Sequence, residues 1–223
     1  EDINKKNIVV FNEQGLGDSI QFSKYVFSLT KIASQVTFVV QENIKKLFVK
    51  DIKNLSIETL EDCKDKKFDF KIALGSLIKF FYKKKLKSNE SIINHDQNFE
   101  LKKKISPFKL NVGLSWSGSY NGPNEPYRSV PLKSLEKIFS LNANFYCLQN
   151  DIRGIDLELF NSLSLINYGE YKLDKLSSII QNLDLVIAVD TSILHLSAAL
   201  NKETWAMFTL FPDWRWGAFN NFN

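Results

Sequence analysis

The chain has 223 residues, with 29 Lys and Arg against 25 Asp and Glu and a net charge of +4, which suits one or two small globular domains and excludes a disordered or collagen-like polymer. No run approaches the roughly 18 uninterrupted apolar residues of a spanning helix, and Glu1-Asp2-Ile3-Asn4 does not open a secretory signal, so a soluble, cytoplasmic protein is expected. Residues 1–106 carry 20 basic and 14 acidic side chains, whereas residues 107–223 carry 9 and 11, so the halves differ in kind.

Asn7 to Phe11 reads as a strand, Glu13-Gln14-Gly15-Leu16-Gly17-Asp18 as a glycine turn, and Ser19 to Ala33 as a helix with Ile20, Tyr25, Val26, Leu29 and Ile32 on its apolar face. Gln35 to Gln41 predicts a second strand, Asn43 to Ile52 a helix, Leu55 to Leu60 a third strand and Phe68 to Leu74 a fourth. Strands alternating with helices predict a parallel α/β sheet. A lysine-rich stretch with Lys83-Lys84-Lys85 and Lys102-Lys103-Lys104 then runs into Ile105-Ser106-Pro107, placing a domain boundary near residue 106.

The alternation restarts beyond it. Asn111 to Trp116 predicts a strand, then a polar loop to Arg128, a helix over Leu132 to Phe139, and strands over Asn144 to Leu148 and Leu163 to Asn167. Leu173 to Asn182 predicts a helix, Leu185 to Val189 a buried strand, Ser192 to Leu200 a helix and Thr204 to Phe208 a last strand. Residues 1–106 and 107–223 thus read as two α/β units.

Ligands of parallel α/β sheets bind beyond the carboxyl ends of strands, which directs attention to Gln14–Asp18, Ser117–Arg128, Gln149–Arg153 and Asp190–Ser192. Gly15 and Gly17 permit a tight turn, and Asp18 at a helix start suits either an N-cap or a reactive carboxylate. Asp190-Thr191-Ser192 brings an acid and two hydroxyls to a helix N-terminus, where a phosphate or a plain cap would be equally well placed. His195 suits a packed histidine or a catalytic one, and Arg128 a phosphate fork or a solvated side chain. Lys79 to Lys85 reads as the solvated face of an amphipathic helix or as contact with an anionic membrane surface or a phosphorylated acceptor. Cys63, Cys147, His95 and His195 lack metal-site spacing and a disulfide framework is not expected. No nucleic-acid motif accompanies the small positive charge.

Several blocks in order resemble a known family: Gly15 to Tyr25, Leu74-Gly75-Ser76-Leu77, Val112 to Gly118 with Arg128 to Leu132, Leu148-Gln149, Leu183 to Leu200, and Pro212-Asp213-Trp214-Arg215-Trp216. They resemble the glycosyltransferase domain of bacterial tetratricopeptide-repeat proteins, which is related to the heptosyltransferases of glycosyltransferase family 9. The resemblance implies a GT-B fold of two Rossmann-like domains with mainly parallel sheets, the acceptor held by 1–106 and the donor by 107–223. It implies inverting, metal-independent transfer from a nucleotide-diphosphate sugar to a glycan, lipid-linked or protein acceptor, without a cofactor.

By motif position, the resemblance makes Asp18 the general base, with Gly15 and Gly17 shaping its loop. It assigns Asp190, Thr191, Ser192 and His195 to the diphosphate and donor sugar, Ser117, Gly118 and Arg128 to the loop facing the diphosphate, and Gln149 to nucleoside contacts. The chain departs from the family in its loop 119–127, in having no tetratricopeptide repeats, in its small first domain and in ending soon after Trp216, so a fragment or shortened member is expected. Two other classes compete: a catalytically silent nucleotide-sugar or partner-binding module, and a dinucleotide oxidoreductase suggested by Gly15, Gly17 and Glu42 but opposed by Ile20 where a third glycine belongs.

Overall fold

The computed structural model describes residues 3–48, 51–81, 91–96, 108–119, 125, 127–210 and 212–216. The predicted boundary near 106, the lysine runs at 83–85 and 102–104, and loop positions 120–124 and 126 lie outside these residues. Two all-parallel sheets carry the described chain. The first has the order β3-β2-β1-β4, built from β1 (Asn7–Phe11), β2 (Gln35–Val39), β3 (Leu55–Glu58) and β4 (Phe70–Ala73). The second has the order β7-β6-β5-β8-β9, built from β5 (Leu110–Ser115), β6 (Ala143–Cys147), β7 (Ile166–Asn167), β8 (Leu185–Val189) and β9 (Thr204–Met207).

Local sequence explains the strands. Ile8, Val9 and Val10 are all buried because β1 lies between two neighbours with both faces covered, the setting that produces continuous apolar runs. In the second sheet the faces divide with period two: Val186 and Ala188 enter one core, while Leu185 and Ile187 pack against another centred on Val112, Leu114, Trp116 and Cys147.

The helices are α1 (Leu16–Thr30), α2 (Ile78–Phe81), α3 (Gly154–Ser162), α4 (Leu173–Gln181) and α5 (Ser192–Ala199). Two segments expected as α-helices, over Asn43–Ile52 and Leu132–Phe139, instead form 3-10 helices over Glu42–Leu47 and Leu132–Ser140. In both, residues three apart share the buried side, Ile44 with Leu47 and Leu132 with Leu135 and Ile138, a spacing that 3-10 and α-helical turns can both satisfy. Helix α3 escapes the sequence reading because Ile155 and Leu157 face solvent and blur its periodicity.

One apolar core runs through both halves. It joins Ile8, Val10, Phe38 and Val26 to Leu176, Ile179, Ile193 and Leu196, with α1 packing against α5 and the 42–47 turn against α4. Residues 91–96 add a polar tie, since Asp96 N donates to Ser178 Oγ at 2.8 Å and Asn94 N to Leu47 O at 2.7 Å.

Candidate active site

In each parallel sheet the strand order switches sides, between β1 and β4 in the first and between β5 and β8 in the second, and the loops after β1 and β8 line one cavity. The β1 loop is tied to the β4 loop by Glu13, whose carboxylate accepts from Leu74 N at 3.1 Å and Gly75 N at 3.3 Å. Helix α1 begins one residue after Gly15, the N-cap, so Asp18 stands in the first turn and is not itself the cap. Its Oδ2 accepts from Gly15 N at 3.0 Å, satisfying one of the helix's free N–H groups, while Oδ1 pairs with Arg215 Nη1.

The β8 corner is arranged differently. Thr191 is the N-cap of α5, in extended backbone, yet no side chain caps the helix: Thr191 Oγ1 lies 3.3 Å from Val189 O, to which it donates, and 3.5 Å from Ser115 Oγ. Asp190 turns away, with Oδ1 3.3 Å from His195 Nε2 and Oδ2 3.6 Å from Arg215 Nη2. Burial works against its ionisation, but the hydrogen bond from His195, the nearby Trp216 indole and the charges of His195 and Arg215 outweigh it, so the carboxyl sits below its usual range. The Trp216 N–H faces this group while stopping short of hydrogen-bond geometry.

His195 is a buried side chain stacked on Trp216, with ring centroids 4.9 Å apart and planes within 7°. Its ring also reaches α1: a Cβ on Gly17 would lie 2.7 Å from His195 Cδ2, so glycine there is required by close approach of the two helices.

The remaining expected residues are built into the walls. Gln149 is buried and its amide is occupied: Oε1 accepts from Trp116 N at 2.7 Å and Ser117 N at 3.0 Å, and Nε2 donates to Ser117 Oγ at 2.9 Å and Asp151 O at 2.8 Å. Its side chain thus holds the 116–117 and 151 backbone together in the wall of the smaller of two cavities. Gly118 N donates to Ser129 Oγ at 3.1 Å. Arg128 lines the larger cavity, partly exposed, with its Nε bound to Glu125 Oε1 at 2.9 Å and its Nη1 donating to Asp190 O at 3.3 Å.

Arg153 pairs with the other Glu125 oxygen and also donates to Ser129 Oγ at 3.2 Å. Burial raises the Glu125 carboxyl, but hydrogen bonds from Arg128 and Ser129 and the charges of Arg153 and Arg128 bring it below its ordinary value. Glu125, Arg153, Arg215 and Trp216 were not assigned roles from sequence. A usable signal was present: of 29 basic side chains only Arg128, Arg153 and Arg215 are arginine, and all three converge here.

Two cavities meet at this point. The larger, about 910 Å³, is walled by the 14–18 loop, Arg128, Asp190–Ser192, His195, residues 207–210, Pro212, Asp213 and Arg215. The smaller, about 510 Å³, is walled by Ser115, Ser117–Ser119, Gln149–Asp151, Gly169–Leu173 and Asn43. Leu16, Ser119, Thr191 and Ser192 belong to both, so the α5 N-terminus is the shared rim. Glu42, the acid expected for a dinucleotide ribose, lines neither, and Ile20 is packed in the core. Among the described residues no group of three His, Cys, Asp or Glu side chains could hold a metal ion, and no helix is long and apolar enough to cross a membrane.

Comparison with known proteins agrees with this layout. No functionally curated protein matches the sequence. The structure is similar to a family 9 glycosyl transferase from Veillonella parvula DSM 2008, at 14% identity and a TM-score of 0.65, covering 92% of this chain and 82% of that one. It is similar to the dodecameric iron-containing glycosyltransferase TibC of enterotoxigenic E. coli H10407, at 9% identity and 0.68, covering 96% of this chain and 65% of that one. It is also similar to E. coli heptosyltransferase WaaC with ADP, at 11% identity and 0.58, covering 90% and 86%. Residues 158–222, which include β8, α5 and the Arg215 segment, match the model of glycosyltransferase family 9 (heptosyltransferase), and the chain has the mainly parallel α/β, GT-B fold of the heptosyltransferases.

Proposed function

We propose that this protein transfers a sugar from a nucleotide-diphosphate sugar to a hydroxyl acceptor on a glycan, lipid or protein, with inversion and without a metal. The observation that carries the reading is the uncapped α5 N-terminus at Thr191–Ser192, opening into the cavity that Asp18 also lines. Backbone N–H groups in that setting bind an anion, and a diphosphate resting there would extend its nucleoside into the 510 Å³ cavity and its sugar toward Asp18. TibC in complex with ADP-D-beta-D-heptose makes an ADP-sugar the first donor to try.

In the step, Asp18 takes the proton of the acceptor hydroxyl while that oxygen bonds to the anomeric carbon. The bond from that carbon to the diphosphate oxygen breaks on the opposite face, and its electron pair leaves with the nucleoside diphosphate. The N–H groups of α5 stabilise the charge growing on the leaving diphosphate, the task a metal performs elsewhere. Thr191 Oγ1 and Ser115 Oγ stand beside that position.

The test is transfer and donor binding by the protein and its Asp18→Asn variant. The variant should lose transfer by about 10²–10⁴-fold while binding the nucleoside diphosphate within about twofold of the parent, since Asp18 touches the acceptor and not the diphosphate. Transfer at the parental rate would remove Asp18 as base; binding without transfer by the parent itself would leave a nucleotide-sugar binding module.

A further inference from the structure

Arg215 stands where the two halves of the site meet. Its Nη1 pairs with Asp18 Oδ1 at the head of α1, its Nη2 lies 3.6 Å from Asp190 Oδ2 at the head of α5, and its Nε binds Asp213 Oδ1 at 2.8 Å. Its backbone is held too: Asp213 Oδ1 accepts from Arg215 N at 3.0 Å, and Arg215 O accepts from Gln21 Nε2 at 3.4 Å. The next residue, Trp216, stacks on His195, so the arginine is anchored from α1, from α5 and from its own turn. Without it, Asp18 and Asp190 would face one another as two partly or fully buried carboxylates in a cavity intended for an anionic ligand, an arrangement of uncompensated like charges.

The geometry points to Arg215 as a positioning residue: we infer that it fixes the Asp18 carboxylate across the seam between the two sheets, orienting the base relative to the donor-side carboxylate Asp190, which its other nitrogen approaches. This rests on the glycosyltransferase reading above and adds to it a residue with no assigned role. A carboxylate that turns freely offers its lone pairs in many directions. Here Oδ2 is held by Gly15 N and Oδ1 by the guanidinium, which fixes the plane of the group while each oxygen keeps a second acceptor site for a hydroxyl proton. Arginine suits this better than lysine because its rigid fork holds two or three oxygens in one plane. Misplacement of a reacting group by about 1 Å can cost about 10²-fold in rate, which sets the scale of the effect.

The experiment is a double-mutant cycle of Asp18→Asn and Arg215→Gln in the full chain, with Arg215→Lys alongside, read by melting midpoint and by transfer kinetics with the same nucleotide sugar. Arg215→Gln should lower kcat by about 10–100-fold with donor KM changed less than about threefold. It should do nothing further to transfer in the Asp18→Asn background, and Arg215→Lys should recover part of the loss. The melting midpoints should be non-additive, as expected for residues in direct contact. Parental transfer by Arg215→Gln, beside a crippled Asp18→Asn, would overturn the positioning role alone, as would a donor KM that rises in step with the loss. Parental transfer by Asp18→Asn would overturn the base reading, and the positioning role with it, even if the midpoints remained coupled.

Discussion

Two helix N-termini face each other in this site, and they are finished in opposite ways. At α1 the free N–H of Gly15 is satisfied by the protein's own carboxylate, Asp18, whose other oxygen is held by Arg215. At α5 the N-cap is Thr191, its hydroxyl is turned toward Val189 O and Ser115, and the first-turn N–H groups are left to whatever enters the cavity. Both ends attract negative charge for the same electrostatic reason. What differs is who supplies it: at one corner the chain's own carboxylate meets the N–H of the N-cap, and at the other no side chain caps the helix.

The sharpest way to break this contrast is to remove a donor from the open corner without disturbing the helix. Ser192→Pro does so, because proline is tolerated at the first helical position and the extended backbone of Thr191, with φ −137° and ψ 173°, already suits the residue before a proline. Loss of the backbone N–H, read against Ser192→Ala, which removes the hydroxyl alone, is expected to weaken nucleoside diphosphate binding by roughly 10–100-fold, measured by calorimetry, with the melting midpoint nearly unchanged. Unaltered affinity would mean the diphosphate does not sit on α5.

A smaller effect should follow from forcing the two corners apart. Gly17→Ala places a methyl group 2.7 Å from the His195 ring, and His195 is packed between Trp216 and α1. Overpacking of this kind is expected to cost about 1–3 kcal/mol, seen as a lower midpoint in thermal unfolding. Weakened contact between α1 and α5 should also loosen the Asp18–Arg215 pair.

The smallest change concerns the support of the open corner. Glu125 holds Arg128 and Arg153 beside it, and its folded carboxyl lies below the ordinary value of 4.5. Its stabilising contribution is therefore complete above about pH 4.5 and is lost as the pH falls through the lowered folded value. Glu125→Gln should flatten that part of the acid-unfolding profile, so that the midpoints of parent and variant converge at low pH and separate toward neutrality.

Much of the framework was readable from local pattern, because β1 and β8 are apolar runs bounded by polar residues and appear over Asn7–Phe11 and Leu185–Val189, as their sequence suggests. The period-three spacing of Leu132, Leu135 and Ile138 was equally visible but was matched to the wrong helix. The site was readable as a set of loops, since glycines and hydroxyl-bearing residues at strand ends are local signals. Its pairings were not: Asp18 meets Arg215 across 197 positions, and Gln149 meets Ser117 across 32. Spacing along one chain carries no information about such partners, so the ties of Arg128 to Glu125 and of Gln149 to the Trp116 and Ser117 backbone are visible only in the fold.

The apolar core shared by the two sheets has a consequence for how the chain acquires its structure during synthesis. Helix α1 begins at Leu16 and packs on the first sheet, the 74–77 turn and α2, but α5, against which it also packs, begins only at Ser192, so the face turned to α5 has no cover until that segment has been made. At translation rates of about 5–20 residues per second, that interval is roughly ten to forty seconds. Through it Phe22, Val26 and Leu29 rely on the first sheet with Leu74, Leu77 and Phe81, and the uncovered face of α1 is exposed to aggregation and to chaperones in a way the folded protein is not.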